Sequence, residues 1–143
     1  MHEVCRKNIA RIEYELNCLS VKFSIVAVSE TWLTPLNAEL HCLSGYSPIN
    51  LYRDKRRGGG VSLFVKESLH YITRKDLNVF NADIEAVFIE IDKKLISTKK
   101  NIVVGCVYRP PDHSVATFQT LLVILLNLSK VNIKIAICLG III

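Results

Sequence analysis

The chain has 143 residues, 50% of them hydrophobic, with a net charge of +5 and a pI near 9.0. That length suits one domain able to bury about two-thirds of its unfolded surface, and so modest a basic excess permits a polyanionic partner without specifying one. Five cysteines at wide, irregular spacing include no Cys-x-x-Cys pair and no histidine at zinc-ligand spacing, which excludes a zinc ribbon and predicts a reduced, intracellular compartment, cytoplasm or nucleus. Cys18, Cys106 and Cys138 sit among apolar neighbours and are expected in the core.

The opening residues, Met1 to Lys7, lack the apolar core of a signal peptide. Ile9, Ile12, Leu16 and Leu19 then recur at spacings of three and four, with Arg6, Lys7, Arg11, Glu13 and Glu15 off the stripe. This pattern predicts an amphipathic helix from Lys7 to Ser20 with one face for a sheet. Phe23 to Val28 predicts a strand buried on both faces. Pro35 and the polar run Asn37 to His41 predict a loop holding a short turn of helix. Gly45-Tyr46-Ser47-Pro48 punctuates the chain, and the basic run Arg53-Asp54-Lys55-Arg56-Arg57 leads into Gly58-Gly59-Gly60.

Val61 to Val65 alternates as a strand does. Tyr71 to Arg74 suggests a short strand, and Ile84 to Ile91 a clear one in which Glu85 and Glu90 are polar interruptions. Lys93-Lys94 and Lys99-Lys100 bracket a turn before a strand from Asn101 to Tyr108, which Pro110-Pro111 stops. Ser114 is placed to cap a helix running to Leu128, with Phe118, Leu121, Leu122 and Leu125 on its inner face. Ile133 to Leu139 closes the series as an apolar strand. Asn127, Lys130, Asn132 and Lys134 break the apolar C-terminal region, so no transmembrane segment is expected there. The sum is a mixed α/β (α+β) plan with much antiparallel pairing and no internal repeat. No strand opens onto Gly-x-Gly-x-x-Gly, which excludes a doubly wound dinucleotide fold.

Three stretches carry chemistry. Ser29-Glu30-Thr31-Trp32 follows a buried strand with no linker. A carboxylate there is costly unless something beyond the sheet uses it, although Ser29 or Thr31 could equally cap a turn and leave Glu30 in water. Gly58-Gly59-Gly60 lacks the Gly-Lys-Ser/Thr of a phosphate loop and precedes a strand, so it reads as a flexible turn. The basic run beside it can neutralise a nucleic-acid backbone or be a solvated loop. Tyr108-Arg109-Pro110-Pro111 ends a strand and would aim a phenol and a guanidinium, both donors to a phosphate oxygen, or else an edge tyrosine and an exposed arginine. His2, His41, His70 and His113 are scattered without a carboxylate at a telling spacing, so none is assigned as a catalytic base.

Ser29-Glu30-Thr31-Trp32-Leu33, Gly45-Tyr46, Arg57-Gly58-Gly59-Gly60-Val61 and Val107-Tyr108-Arg109-Pro110-Pro111 occur in the order and at the intervals of endonuclease/exonuclease/phosphatase domains. The chain most resembles the endonuclease domains of non-LTR (LINE-type) retrotransposons. The resemblance runs over residues 1–143 and matches roughly the first three-fifths of the family's domain. It implies a DNase I-like β-sandwich flanked by helices, truncated at that point, with a divalent-metal phosphodiesterase site at one end. On that resemblance Glu30 matches the glutamate that holds Mg²⁺ or Mn²⁺, and Tyr108 matches the tyrosine at the scissile phosphate. DNA is the implied partner, with Arg53, Lys55, Arg56, Arg57 and Arg109 as nucleic-acid contacts. No membrane and no small-molecule cofactor are implied.

The departures bear on activity. The family's first strand ends in a metal-binding asparagine, for which Asn8, inside the first helix, is no substitute. Its Gly-Asp-Phe-Asn is represented here by Gly140-Ile141-Ile142-Ile143, and its later asparagine and terminal aspartate–histidine pair have no counterpart in these residues. The expectation is therefore an endonuclease domain by ancestry that is catalytically impaired. The alternative is a non-catalytic remnant that binds nucleic acid weakly and self-associates through uncovered strand edges.

Overall fold

The computed structural model describes residues 2–53, 58–110, 114–130 and 133–139. Helix α1 (His2–Cys18) leads to β1 (Ile25–Ser29), a single 3₁₀ turn (Ala38–Leu40), β2 (Tyr46–Leu51) and β3 (Val61–Lys66). Then come the short β4 (Ile72–Thr73) and β5 (Val79–Phe80), β6 (Glu85–Ile91), β7 (Asn101–Tyr108), α2 (Val115–Lys130) and β8 (Ile133–Leu139). One sheet has the order β1-β3-β2; the other has the order β4-β6-β7-β8, with β5 also on β6. Every pairing is antiparallel except β7 with β8, which α2 connects.

The period-two alternation of the strands sorts their side chains into layers. Val61, Leu63 and Val65 of β3 face Val87 and Ile89 of β6 and Cys106 of β7, filling the space between the sheets. The opposite face of the first sheet, Val28 and Phe64, receives Ile9 and Ile12 of α1. The opposite face of the second, Ala86, Phe88, Val103 and Val107, receives Leu121 and Leu125 of α2. The result is an α/β/β/α sandwich in which β3, β6 and β7 are apolar on both faces. Completely buried rings such as Phe64 and Phe88 contribute about 1.5–3 kcal/mol each. Phe88 fits because its cross-strand partner is Gly105, where a Cβ would lie 2.1 Å from the ring.

Several expectations needed correction. Helix α1 begins earlier than the stripe suggested and ends at Cys18, so Leu19 lies beyond it, and both residues are exposed. Cys106 is buried as expected, while Cys138 is half-buried. Phe23 lies outside β1 and is exposed. Strand β2 was hidden by Pro48, which is tolerated because β2 is an edge strand of its sheet. Ser114 does cap α2, its Oγ accepting the Ala116 N–H at 3.2 Å. Among the described residues, no helix is long and apolar enough to cross a membrane.

Candidate functional site

The ends of four strands meet at one end of the sandwich. Ser29, the last residue of β1, is opposite Val61, the first of β3. Glu85, the first of β6, is opposite Tyr108, the last of β7. The Cys106 thiol reaches the Val28 carbonyl at 3.6 Å, and two residues further along each of those strands stand Glu30 and Tyr108. The fold thus brings both sequence-identified residues to the same end.

Glu30 leaves β1 with φ +57°, and Trp32 follows with φ +53°. Left-handed backbone at a non-glycine residue costs about 1–2 kcal/mol, and such strain persists where surrounding contacts over-determine it. Those contacts come from the glycine turn. The Trp32 N–H donates to the Gly59 carbonyl at 2.9 Å and the Thr31 N–H to the Gly60 carbonyl at 3.3 Å. In return the Gly59 N–H donates to Glu30 Oε2 at 3.1 Å. Gly58, Gly59 and Gly60 all have positive φ, and a Cβ on Gly60 would meet Thr31 Oγ1 at 2.4 Å. The turn that the sequence suggested was flexible is therefore laced to the Glu30 segment, and Gly59 and Gly60 have no room for a side chain.

Glu85 is the residue whose importance the sequence understated. It shares the parity of Val87 and Ile89, so it points between the sheets, and it is completely buried. Its Oε2 accepts the Gly60 N–H at 2.5 Å, and its Oε1 accepts Nε of Arg53. Arg53, read from sequence as part of a solvated basic run, instead turns inward, its side chain only 14% exposed. Lys55, Arg56 and Arg57 lie outside the described residues, as do Pro111 and His113. Tyr108 is half-buried and packs on the inter-sheet cluster. Arg109 is half-buried beside it, its Nη1 donating to the Pro110 carbonyl at 3.2 Å.

The donor set limits which cation could fit here. Among the described residues, no three His, Cys, Asp or Glu side chains gather as a metal cluster. Glu85 is committed to Arg53 and Gly60, which leaves Glu30 as the carboxylate on hand among the described residues at this end. One carboxylate matches Mg²⁺ or Mn²⁺, which take their remaining ligands from water and phosphate, and does not match zinc. Two other groups drop out on chemistry. Burial, with Cys138 nearby, pushes the Cys106 thiol up to about 12, so it is no nucleophile at neutral pH. Burial pulls His41 down to about 4, leaving a neutral ring 5.0 Å from that of Phe64.

The two sheets, their flanking helices and the convergence of strand ends define a DNase I-like α/β fold. Among solved structures the chain is similar to the AP endonuclease LMAP from Leishmania major, with a TM-score of 0.51 and 16% sequence identity over 70% of this chain. It spans 34% of that endonuclease's length. No protein-family model and no curated protein matches the chain.

Proposed function

We propose that residues 1–143 are part of an endonuclease/exonuclease/phosphatase domain of LINE-type ancestry, and that this end of the sandwich binds a divalent cation and the DNA backbone. The observation that carries this reading is Glu30 itself: a carboxylate held in strained backbone at a strand end, at the same end as Tyr108. In this reading Glu30 holds Mg²⁺ or Mn²⁺, and Tyr108 donates its phenolic O–H to a phosphate oxygen. Arg109 and the basic run through Lys55, Arg56 and Arg57 neutralise neighbouring phosphates. The cation, when bound, supplies charge stabilisation for phosphodiester cleavage.

Turnover by these residues is proposed to be weak. Ile141, Ile142 and Ile143 follow Gly140 where the resembled domains carry Asp-Phe-Asn. Loss of one group that stabilises a transition state costs about 10²–10³ in rate. The same substitution favours the second reading, a non-catalytic module that retains metal-assisted DNA binding.

Supercoiled plasmid incubated with Mg²⁺ or Mn²⁺ separates the two readings. Nicking by the wild-type chain that is lost in Glu30→Ala establishes the enzyme. Mn²⁺-dependent plasmid retention without nicking, again lost in Glu30→Ala, establishes the binding module. The absence of any effect of Glu30→Ala on metal or DNA binding would overturn both.

A further inference from the structure

We infer that the buried Arg53–Glu85 ion pair is a positioning unit that holds the glycine turn from between the sheets and so fixes the pose of Glu30 on the turn's other side. Its functional consequence rests on the proposed role of Glu30, whereas its geometric content does not. Successive amides of one turn are taken by carboxylates from different sheets. Gly59 N–H donates to Glu30 of the first sheet at 3.1 Å, and Gly60 N–H to Glu85 of the second at 2.5 Å. The turn is therefore a clamp between layers, with Glu30 on one jaw and Glu85 on the other.

A completely buried carboxylate is strongly disfavoured without a counter-charge, so Glu85 holds the turn as one half of a pair. Arg53 Nε supplies that counter-charge. The fit leaves no slack: a Cβ on Gly59 would lie 2.7 Å from Glu85 Oε1, 2.9 Å from Oε2 and 3.0 Å from Arg53 Cζ. Movement of the pair must move Gly59 and Gly60, and with them the partners of Glu30, Thr31 and Trp32. Because Glu85 is also the cross-strand partner of Tyr108, the same carboxylate stands behind both candidate site residues.

The chain's single tryptophan reports on the turn directly. Trp32 donates to Gly59 at 2.9 Å, and its Cζ2 lies 3.9 Å from the Cβ position of Gly58. Acrylamide quenching of Trp32 fluorescence and binding of Mn²⁺ alone, followed by its spin resonance, would be compared in wild type, Glu85→Gln, Arg53→Met, Arg53→Lys, Glu30→Gln and Gly105→Ala. Each variant would be measured at a temperature where its far-UV circular dichroism is native.

Glu85→Gln and Arg53→Met should increase Trp32 quenching and weaken Mn²⁺ binding roughly tenfold, as loss of a group orienting a ligand does. Arg53→Lys should recover part of both. Gly105→Ala, which strains the core at Phe88, should lower the melting temperature and move neither readout. If Glu85→Gln or Arg53→Met fails to fold, Arg53→Lys against Gly105→Ala decides. Unchanged Trp32 quenching alongside a lowered melting temperature would show a merely structural pair and overturn the inference. A wild-type chain that binds no Mn²⁺, or a Glu30→Gln chain that binds it equally, would overturn the metal reading and leave the Trp32 comparison to decide the positioning role.

Discussion

Strand β6 carries a glutamate near each end, and the two ends show what burial does to the same chemistry. Glu85 is fully buried, meets Arg53 and a backbone amide, and points between the sheets. Glu90 is 12% exposed and meets Nη1 of Arg74 at 2.5 Å and the Asn101 side-chain amide at 2.7 Å. Arg74 divides itself further, gripping Asp76, which is 61% exposed, through two more hydrogen bonds. At the Glu90 end, water and spare partners can replace a lost contact. At the Glu85 end the carboxylate itself is fully buried, so each partner is needed and the contact dictates backbone geometry. A site that must hold a strained Glu30 is better supported by the second kind of pair.

The widest gap between the two ends should appear on deleting the arginines. Arg53→Met strands a buried carboxylate and should cost about 3–5 kcal/mol in urea unfolding, much of it recovered in the Arg53→Met/Glu85→Met double variant. Equal losses for Arg53→Met and Arg74→Met would break the contrast. Acid titrations of either end must first subtract His41, 3% exposed beneath the first sheet. Burial holds its folded pKa at about 4, below the ordinary histidine value of 6.5. The unfolded chain therefore binds the extra proton first, and stability is full above pH 6.5 and drains as pH falls toward 4. The total is roughly 3 kcal/mol, and a His41→Gln variant should lack that slope.

Gly59→Ala comes next. With φ +73° and no room beside Glu85, it should lose about 1–3 kcal/mol and redden the Trp32 emission. At the Glu90 end, Arg74→Met should cost only about 1 kcal/mol, since its partners reach solvent. Asp76→Asn is the smallest. The Arg74 hydrogen bond holds the Asp76 carboxyl below its usual range, so its contribution is present above that range and lost in acid. For so exposed a pair the change should stay within about 0.5 kcal/mol.

Much of this plan was legible in the linear pattern. Ile9 and Ile12, the alternation from Val61 to Val65, the apolar run of β6 and the capped α2 each announce a local periodicity that burial enforces. Glu30 and Tyr108 were legible as polar residues placed directly where apolar strands end. Strand β2 was obscured because a proline argues against a strand until the edge position is known. Glu85 left a trace, a carboxylate inside an otherwise apolar strand, but the trace could not say whether the group met water or an arginine. Arg53 left none, since in sequence it is one of a run of cations.

The sequence by itself determined both helices, most of the longer strands and the two strand ends where Glu30 and Tyr108 stand, because those follow from short-range periodicity and from the cost of burying polar groups. Tertiary structure alone decided that Arg53 leaves the basic run to neutralise Glu85, and that the two carboxylates take successive amides of one glycine turn. Those contacts join residues 25 to 32 positions apart. They exist only once two sheets have closed on each other and excluded the water that would otherwise satisfy each group.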